Sequence, residues 1–305
     1  MPTNIQLSIV IPCYNCRDTI NSTVQFIRSQ ILETHPPLEI ILVDDGSSDT
    51  TPQILKKLSD PYTRVLTLKK NQGRSSAINR GAKLVTSDAI MIIDSDCYMT
   101  NPYLISKHLK ALSQGASVVF GQIFNSGAGF WARYQNEVAA SRLRIKNITA
   151  QTTAHFSIHR ELFFSMGGFP TCYSSYGFED KDFLCQISNI ISSDKVQFLT
   201  NSVEHRDDLS LSGLCGKLII AAQYSAPLFH RRHPDFYEAT PYGKLDLRCS
   251  PSLLSNIAFR LSPIHSMGCR LVAPLLEQQW IPFGAKKLVV RLLMALAYAS
   301  GCADR

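Results

Sequence analysis

The sequence predicts an α/β fold: a doubly wound, mostly parallel sheet flanked by helices, with a mainly helical C-terminal extension. The first half alternates short apolar runs with amphipathic stretches. The apolar runs are continuous and rich in β-branched residues, which is typical of strands buried on both faces of a sheet. Of the 305 residues, 45% are hydrophobic and 18% are charged, a composition that excludes a disordered or collagen-like protein.

The first half is predicted to repeat a strand and a helix. Apolar runs predict strands at residues 7–12, 38–43, 65–68 and 89–93. Apolar residues on one face predict intervening helices at residues 19–29, 51–58 and 75–84. The second helix also has the start signals Asp49 and Pro52. Repeated units of this kind predict a sheet covered by helices on both faces.

The second half has a mixed pattern. It predicts strands at residues 118–121 and 155–158, and helices at residues 130–145, 178–191, 214–224 and 285–298. Proline and basic residues become more frequent in the last third. We therefore expect an α/β domain at residues 1–210 and a basic helical extension at residues 211–305.

The cysteines and the N-terminus predict a reduced, cytoplasmic setting. The nine cysteines are scattered, and the one C-x-x-C pair, Cys13 and Cys16, has no second pair at zinc-finger spacing. Residues 1–15 lack the basic start and long apolar run of a signal peptide. No stretch reaches the roughly 18–20 apolar residues that span a bilayer.

Polar residues follow three of the predicted strands at the point where each strand ends. They are Pro12–Asn15, Asp44–Asp49 and Asp94–Asp96. In doubly wound sheets ligands bind at the carboxyl ends of the strands. Several carboxylates on one such edge predict an acidic, cation-binding cleft.

Each of these segments has a chemical and a purely structural interpretation. Asp94 and Asp96 could share one divalent cation with a bound phosphate, or could be solvated acids in a turn. Asp44 and Asp45 could accept hydrogen bonds from a nucleoside. Arg74, at the start of a predicted helix, offers an anion a guanidinium, although helix starts often have surface arginines.

Together these segments resemble the inverting glycosyltransferases of family 2, which have the GT-A fold. The sequence matches P-x-Y-N at residues 12–15, V-D-D-G-S-x-D at 43–49, N-x-G-x-x-x-A-x-N-x-G at 71–81 and D-x-D at 94–96. A fifth match joins the G-G-F segment at 166–170 to the acidic helix start at 177–183. The segment G-F-E-D-K-D, followed by His205, is similar to the galactosyltransferase and N-acetylgalactosaminyltransferase branch.

The resemblance implies a metal-dependent transfer of a hexose or N-acetylhexosamine from a UDP-sugar to a hydroxyl of a glycan or glycolipid. It implies nucleotide-sugar-binding roles for Pro12, Tyr14, Asn15, Asp44, Asp45, Arg74, Asp94 and Ser95, with Asp44 as the uracil partner. Asp96 and His205 would bind Mn²⁺ or Mg²⁺. Asp180 would be the catalytic base, with Glu179 beside it.

Two alternatives remain at this point. A nucleotidyltransferase also uses an acidic cation site on an α/β sheet, but it leaves Glu179 and Asp180 without a role. A catalytically silent carbohydrate-binding or scaffold protein could keep the fold, but it has no chemical reason to retain both Asp96 and Asp180. Acids in the first turn of a helix also favour the macrodipole without any catalytic role, and His205 could lie in a surface loop.

The charge of the chain predicts an acidic partner for its C-terminal part. The net charge is +7, and from Leu211 onward 11 Lys/Arg stand against 5 Asp/Glu. The charges are single or paired, so nucleic acid is not expected. Cations beside apolar helical faces predict peripheral attachment to an anionic membrane on its cytoplasmic side, or else a packed helix with solvated cations. The cations beside apolar helical faces are Lys217, Arg231, Arg232, Lys286, Lys287 and Arg291.

Overall fold

The computed structural model describes residues 5–32, 38–205 and 209–302, which divide into two units. The first comprises Met1–Gly127, Gln135–Thr171 and Phe183–Asp207, and the second comprises Ala128–Tyr134, Cys172–Asp182 and Asp208–Arg305. The sequence-based division near residue 210 stays a prediction.

The first unit contains an eight-stranded sheet. Its strands are β1 (Leu7–Cys13), β2 (Glu39–Asp44), β3 (Thr63–Thr67), β4 (Ala89–Ile93), β5 (Cys97–Tyr98), β6 (Val118–Phe124), β7 (His155–His159) and β8 (Val196–His205). The helices along this part of the chain are α1 (Ile20–Arg28), α2 (Thr51–Leu58), α3 (Arg74–Ala82), α4 (Leu104–Ser113), α5 (Gly129–Ile145), α6 (Arg160–Ser165) and α7 (Glu179–Ile190). The limits of the two units fall inside α5 and α7.

The strand order is β3-β2-β1-β4-β7-β6-β8-β5. The pairs within β3-β2-β1-β4 are parallel, as is the pair of β6 with β8. Strand β7 runs antiparallel to both of its neighbours, and β5 runs antiparallel to β8. The predicted α/β class with a mostly parallel sheet is confirmed. Strands β5 and β8 and helix α4 are additions that the sequence analysis missed.

Both faces of the central strands are buried. In β1, Ile9 and Ile11 belong to one apolar cluster and Val10 to another. Successive side chains of a strand point to opposite faces, so the two clusters cover opposite sides of the sheet. This is why the strands are continuous apolar runs rather than alternating ones.

Helix α3 packs unusually close to the sheet. A Cβ atom at Gly81 would stand 2.6 Å from Val10 Cγ1 and 2.8 Å from Val43 Cγ2. Only glycine therefore fits there without a shift of the helix. The close contact fixes α3 on β1 and β2, and with it Arg74 at the first position of the helix.

Two histidines are buried against each other in the first unit. His108 on α4 and His155 on β7 are both 0% exposed, and their ring centroids are 4.8 Å apart. His108 Nδ1 lies 2.7 Å from Ser157 Oγ, and His155 Nδ1 lies 3.2 Å from the Gln122 carbonyl. Burial lowers the pKa of both, that of His155 to about 4. Both rings are therefore neutral near pH 7.

These histidines are expected to destabilise the fold in mild acid. Below the usual histidine pKa of about 6.5, the unfolded chain binds protons that the folded chain does not bind until its lower pKa is reached. Stability should therefore fall as the pH drops from about 6.5 towards 4, with His155 contributing about 2.5 kcal/mol between pH 7.5 and 4.5. Urea unfolding at these two pH values measures the loss.

The variant His155→Gln should reduce this pH dependence, whatever it does to stability at neutral pH. His159→Gln, a change at the half-buried end of the same strand, is the matched control for replacing a histidine in β7. An equal loss in wild type and His155→Gln would contradict the assignment.

The second unit is helical. Its helices are α8 (Leu211–Ile220), α9 (Ala226–Arg232), α10 (Pro234–Ala239), α11 (Pro241–Leu245), α12 (Leu253–Leu261), α13 (Ile264–Val272) and α14 (Phe283–Gly301), and a π turn at Ala221–Ser225 joins α8 to α9. Helix α14 packs against α8, α12 and α13. Along the described ranges, no helix combines the length and the apolar character that crossing a bilayer requires.

Candidate active site

The carboxyl ends of β2, β1 and β4, three neighbouring strands, lie beside a cavity of about 300 Å³. Its lining comprises Pro12, Cys13, Tyr14, Asp45, Asn71, Gly73, Arg74, Ala77, Asp94, Ser95 and Asp96. The cavity thus brings together seven of the residues that the sequence analysis assigns to donor or metal binding. Asn71, Gly73 and Ala77 belong to the third motif but had no assigned role.

Two of the predicted donor-binding residues are not in the cavity lining. Asn15 connects the loops after β1 and β2, because its Oδ1 accepts from Ser48 N at 2.9 Å and its N donates to Ser47 Oγ at 3.0 Å. Asp44 is 0% exposed, and its Oδ1 accepts from Ser47 N at 3.0 Å. Its buried Oδ2 has no hydrogen-bond partner among the described residues. An uncompensated buried carboxylate oxygen is costly unless a ligand donor reaches it.

Asp45 fixes the loop that leads into α3. Its Oδ1 accepts from Gln72 N at 2.9 Å, and its Oδ2 accepts from Gly73 N at 2.8 Å. Burial raises the pKa of Asp45 above its usual value, and the two backbone donors oppose that rise. The carboxylate therefore ties the end of β2 to the start of α3.

The turn after Asp45 requires a glycine. Gly46 has a φ of 70°, and a Cβ atom there would stand 2.5 Å from the carbonyl carbon of Lys70. The conformation and the close approach both exclude other side chains. The D-D-G order therefore has a structural reason besides any contact with a ligand.

Arg74 spans the cavity wall between α3 and the end of β4. Its Nε and one terminal nitrogen lie 2.9 Å and 2.8 Å from Asp94 Oδ1. It also donates to Thr153 Oγ1 at 3.1 Å, and its guanidinium lies 5.8 Å from the centre of the Phe169 ring. The fork of the guanidinium makes these bonds at once, which a lysine cannot do. Thr153 was not predicted, since it precedes β7 in an ordinary turn.

Arg74→Lys is expected to lower the free energy of unfolding by about 1 kcal/mol, because the charge stays while the bonds to Thr153 are lost. Urea denaturation measures the change. Arg17→Lys, at a side chain that is 56% exposed, is the matched control and should have no effect. Thr153→Val combined with Arg74→Lys should lose less than the sum of the single changes; full additivity would contradict the coupling.

Asp96 and His205 meet at the edge of the sheet. In the register of β5 and β8, Cys97 pairs with His205, and His205 Nε2 lies 3.2 Å from Asp96 Oδ2. One ligand atom each from Asp96, Cys97 and His205 lie within 4.8 Å of one another. Burial, and then the charges of Asp94 and Asp96, raise the pKa of Cys97 well above its usual value. A carboxylate suits Mn²⁺ or Mg²⁺, the imidazole favours Mn²⁺ over Mg²⁺ because Mg²⁺ prefers oxygen ligands, and a protonated thiol adds little.

Glu179 and Asp180 belong to the second unit, where they begin α7. The preceding residue, Phe178, has a φ of 69°, a left-handed conformation that is strained for a bulky side chain. Its ring stacks on Phe229 with 4.9 Å between centroids. Aromatic packing therefore holds the turn that presents the two acids.

Asp182 lies in the same helical turn and is fully buried at 0% exposure. Its Oδ2 accepts from Tyr173 Oη at 2.8 Å and from Arg232 Nε, and its Oδ1 lies 2.8 Å from His233 Nε2. The hydrogen bond from Arg232 to Asp182 raises the pKa of Arg232. Asp182 lies within the acidic helix start at 177–183 of the sequence analysis, which assigned it no role. The sequence analysis placed Arg232 among the cations expected at a membrane or in solvent, whereas its guanidinium pairs with the buried Asp182. His233 follows α9 and had no assigned role.

The sequence is similar to those of known glycosyltransferases. The sequence matches "Glycosyl transferase family 2" over residues 8–179. It is 38% identical over 94 residues to the Escherichia coli protein UDP-Glc:alpha-D-GlcNAc-diphosphoundecaprenol beta-1,3-glucosyltransferase WfaP, covering 30% of this chain and 36% of WfaP. It is 25% identical over 169 residues to the Pyrococcus furiosus dolichol-phosphate mannosyltransferase, covering 52% of this chain and 47% of the relative. The matches therefore span less than half the length of these relatives.

The fold is also that of a solved mannosyltransferase. The structure of PcManGT from Pyrobaculum calidifontis, in complex with GDP-Man and Mn²⁺, superposes with a TM-score of 0.61 at 16% identity. The match covers 97% of this chain and 87% of that chain. At this identity the likeness concerns the fold, and it confirms the expected GT-A architecture with a helical C-terminal region.

Proposed function

The chain belongs to glycosyl transferase family 2, and from that premise we propose that it is a metal-dependent inverting transferase. It moves a hexose or N-acetylhexosamine from a UDP-sugar to a hydroxyl of a lipid-linked glycan. The observation that carries the proposal is the single cavity whose lining includes Asp45, Arg74, Asp94 and Asp96. Its volume of about 300 Å³ is in the range of small-ligand sites.

The nucleoside binds at the β1 and β2 ends of this cavity. Tyr14 is 49% exposed at the lining and offers a ring for stacking on the base. Asp44 is fully buried and lies outside the cavity lining, so its assignment as the uracil partner stays a prediction. Asp45 holds the loop of residues 71–73 against the same side of the site.

The diphosphate and sugar bind towards Arg74, Asp94 and Ser95. The Arg74 guanidinium supplies positive charge beside the phosphates, and Asp94 accepts hydrogen bonds from ribose or sugar hydroxyls. Because Asp94 already holds Arg74 through two short contacts, the guanidinium is oriented before the donor arrives. Preorganisation of this kind reduces the entropy lost on binding.

Asp96 and His205 would hold the divalent cation. When bound, the cation would neutralise charge on the departing nucleoside diphosphate. This assignment is supported by the carboxylate–imidazole pair beside the cavity.

Asp180 takes the proton of the acceptor hydroxyl as attack proceeds, with Glu179 binding a neighbouring hydroxyl. An alcohol has too high a pKa to attack at a useful rate without such a base. Attack on the anomeric carbon from the face opposite the leaving group inverts its configuration. The strained turn at Phe178, held by Phe229, supports a functional role for these acids.

The names of two relatives support the proposed acceptor class. The Escherichia coli protein carries a sugar acceptor on diphosphoundecaprenol in its name, and the archaeal protein is named for dolichol phosphate. We therefore assign a polyprenyl-linked acceptor, and a location at the cytoplasmic face of the membrane that contains it. The similarity to the galactosyltransferase and N-acetylgalactosaminyltransferase branch stays a prediction, since these relatives are glucosyl and mannosyl transferases.

The test is nucleoside diphosphate release with Mn²⁺ over a panel of UDP-, GDP- and dTDP-sugars, together with calorimetric titration of UDP. Asp96→Ala should weaken Mn²⁺-dependent UDP binding by about 100-fold, since the cation loses a ligand. Asp18→Ala, whose side chain is 85% exposed, is the matched control and should bind like wild type.

Three outcomes would overturn parts of the proposal. Consumption of a nucleoside triphosphate and a sugar phosphate, with release of diphosphate, would identify a nucleotidyltransferase instead. Preference for GDP-mannose would contradict the UDP assignment. Absence of both binding and turnover with every nucleotide would contradict catalysis and favour a carbohydrate-binding scaffold.

A further inference from the structure

Three helices of the second unit expose large apolar side chains to solvent. Leu253 and Leu254 of α12, Met267 and Leu271 of α13, and Leu288 and Leu292 of α14 are between 57% and 79% exposed. We call these six residues the apolar helical surface. Single exposed apolar residues are ordinary, but a concentration on adjoining helices marks an interaction site.

The exposure is not a sign of loosely packed helices. Met267 and Leu271 are four residues apart, as are Leu288 and Leu292, so each pair lies on one face of its helix. Other residues of the same helices are buried, including Cys269 and Val290. Helices α12 and α13 both contact α14. Each helix is therefore anchored by one side and presents a second apolar side outward.

The charge around this surface is almost entirely positive. Residues 251–302 contain five Lys/Arg and one acid, Glu277. Arg260, Arg270 and Arg291, one on each of the three helices, are exposed. Apolar helical faces combined with cations are typical of helices that lie in the interface of an anionic bilayer.

We propose that the apolar helical surface docks on an anionic lipid bilayer, with Arg260, Arg270 and Arg291 at the level of the lipid phosphates. Trp280, between α13 and α14, is 77% exposed, and tryptophan is enriched at the membrane–water interface. A bilayer fits better than a protein partner because the charges, Glu277 apart, are positive. Protein interfaces also draw their main anchors from Trp, Tyr and Arg, with leucine under-represented. The proposal goes beyond sugar transfer, since neither donor nor acceptor sugar takes part.

The experiment is flotation of the full chain with vesicles of phosphatidylcholine, with and without phosphatidylglycerol. Wild type should bind the anionic vesicles, and binding should weaken with salt. Met267→Glu/Leu271→Glu should lower the partition coefficient on the order of 100-fold, because two apolar anchors are lost. Arg260→Gln/Arg270→Gln/Arg291→Gln should lower it to a similar extent, but for the anionic vesicles alone.

The matched control is Ile145→Glu/Ile190→Glu, at two residues that are 58% and 57% exposed but lie outside this surface. It should bind vesicles like wild type. Circular dichroism and Mn²⁺-dependent UDP binding on the same samples report whether each variant is folded. A chain that floats but binds no nucleotide would contradict the transfer proposal and leave the docking proposal standing.

Three results would overturn the docking proposal. Wild type could fail to bind anionic vesicles, or the control could lose binding as strongly as Met267→Glu/Leu271→Glu. Sedimentation analysis could also find a wild-type dimer that this double variant converts to a monomer, with no vesicle binding by either. A second copy of the chain would then cover the surface.

Discussion

Asp180→Asn is expected to lower kcat for sugar transfer by about 10³-fold while leaving Mn²⁺-dependent UDP binding unchanged. Asparagine keeps the size of the side chain but cannot accept the proton of the acceptor hydroxyl. The loss should appear in kcat rather than in the binding of the donor, because the proposed role of Asp180 is to take a proton from the acceptor. The measurement is the initial rate of UDP release with and without acceptor.

The matched control for this change is Asp194→Asn. Asp194 is an exposed acid in the short turn that follows α7, and its replacement should leave full activity. A kcat within tenfold of wild type for Asp180→Asn would exclude it as the base. Glu179→Gln then becomes the decisive variant. A parallel loss of UDP binding would instead indicate that the substitution disturbs the donor site.

Asp182→Ala is expected to lower the free energy of unfolding by about 3–5 kcal/mol, which is the effect of removing one partner from a buried ionic network. Arg232, His233 and Tyr173 would all lose the acceptor that they share. Urea unfolding followed by circular dichroism measures the change. Asp182→Asn, which keeps one acceptor oxygen, should be intermediate and provides a folded variant if Asp182→Ala does not accumulate.

Asp18→Ala removes an acid of the same type from an exposed position, and it should change stability by less than about 0.5 kcal/mol. If Asp182→Ala changed the free energy of unfolding equally little, the remaining side chains of the network would be able to rearrange and bind water. The comparison therefore distinguishes a rigid buried cluster from one whose arginine moves to solvent. Arg232, whose side chain is 41% exposed, is the member with that freedom.

The parts of the fold that were predicted from the sequence are those with local signals. Strands β1, β2 and β4 are apolar runs buried on both faces, and the helices between them have apolar residues at helical spacing. Strand β8 was missed because its alternation of Val196, Phe198 and polar residues is short and ends in a polar stretch. Strand β5 has two residues, too few for any periodicity. Helix α4 was missed although Leu104, Ile105 and other buried residues at helical spacing mark one of its faces.

The candidate site also has a part that was predicted from the sequence and a part that was not. Its acidic residues stand at strand ends, so the rule that ligands bind there was enough to group Asp45, Asp94 and Asp96. Contacts between distant segments have no comparable local signal in the sequence. Thr153 meets Arg74 only through the packing of β7 beside β4. Two partners of Asp182, Arg232 and His233, come from the end of α9, and no spacing along the chain connects them to it.

The pairing of Cys97 with His205 makes the candidate cation site depend on folding. Asp96 and His205 are far apart in the chain, and bringing them together costs the entropy of closing a long loop. The unfolded chain therefore has no preformed site. A cation that binds only the folded site would stabilise this edge of the sheet. At a hundredfold excess over its Kd, such a ligand adds about 2.7 kcal/mol to stability. The supply of a metal that binds there would then change how long the folded chain persists.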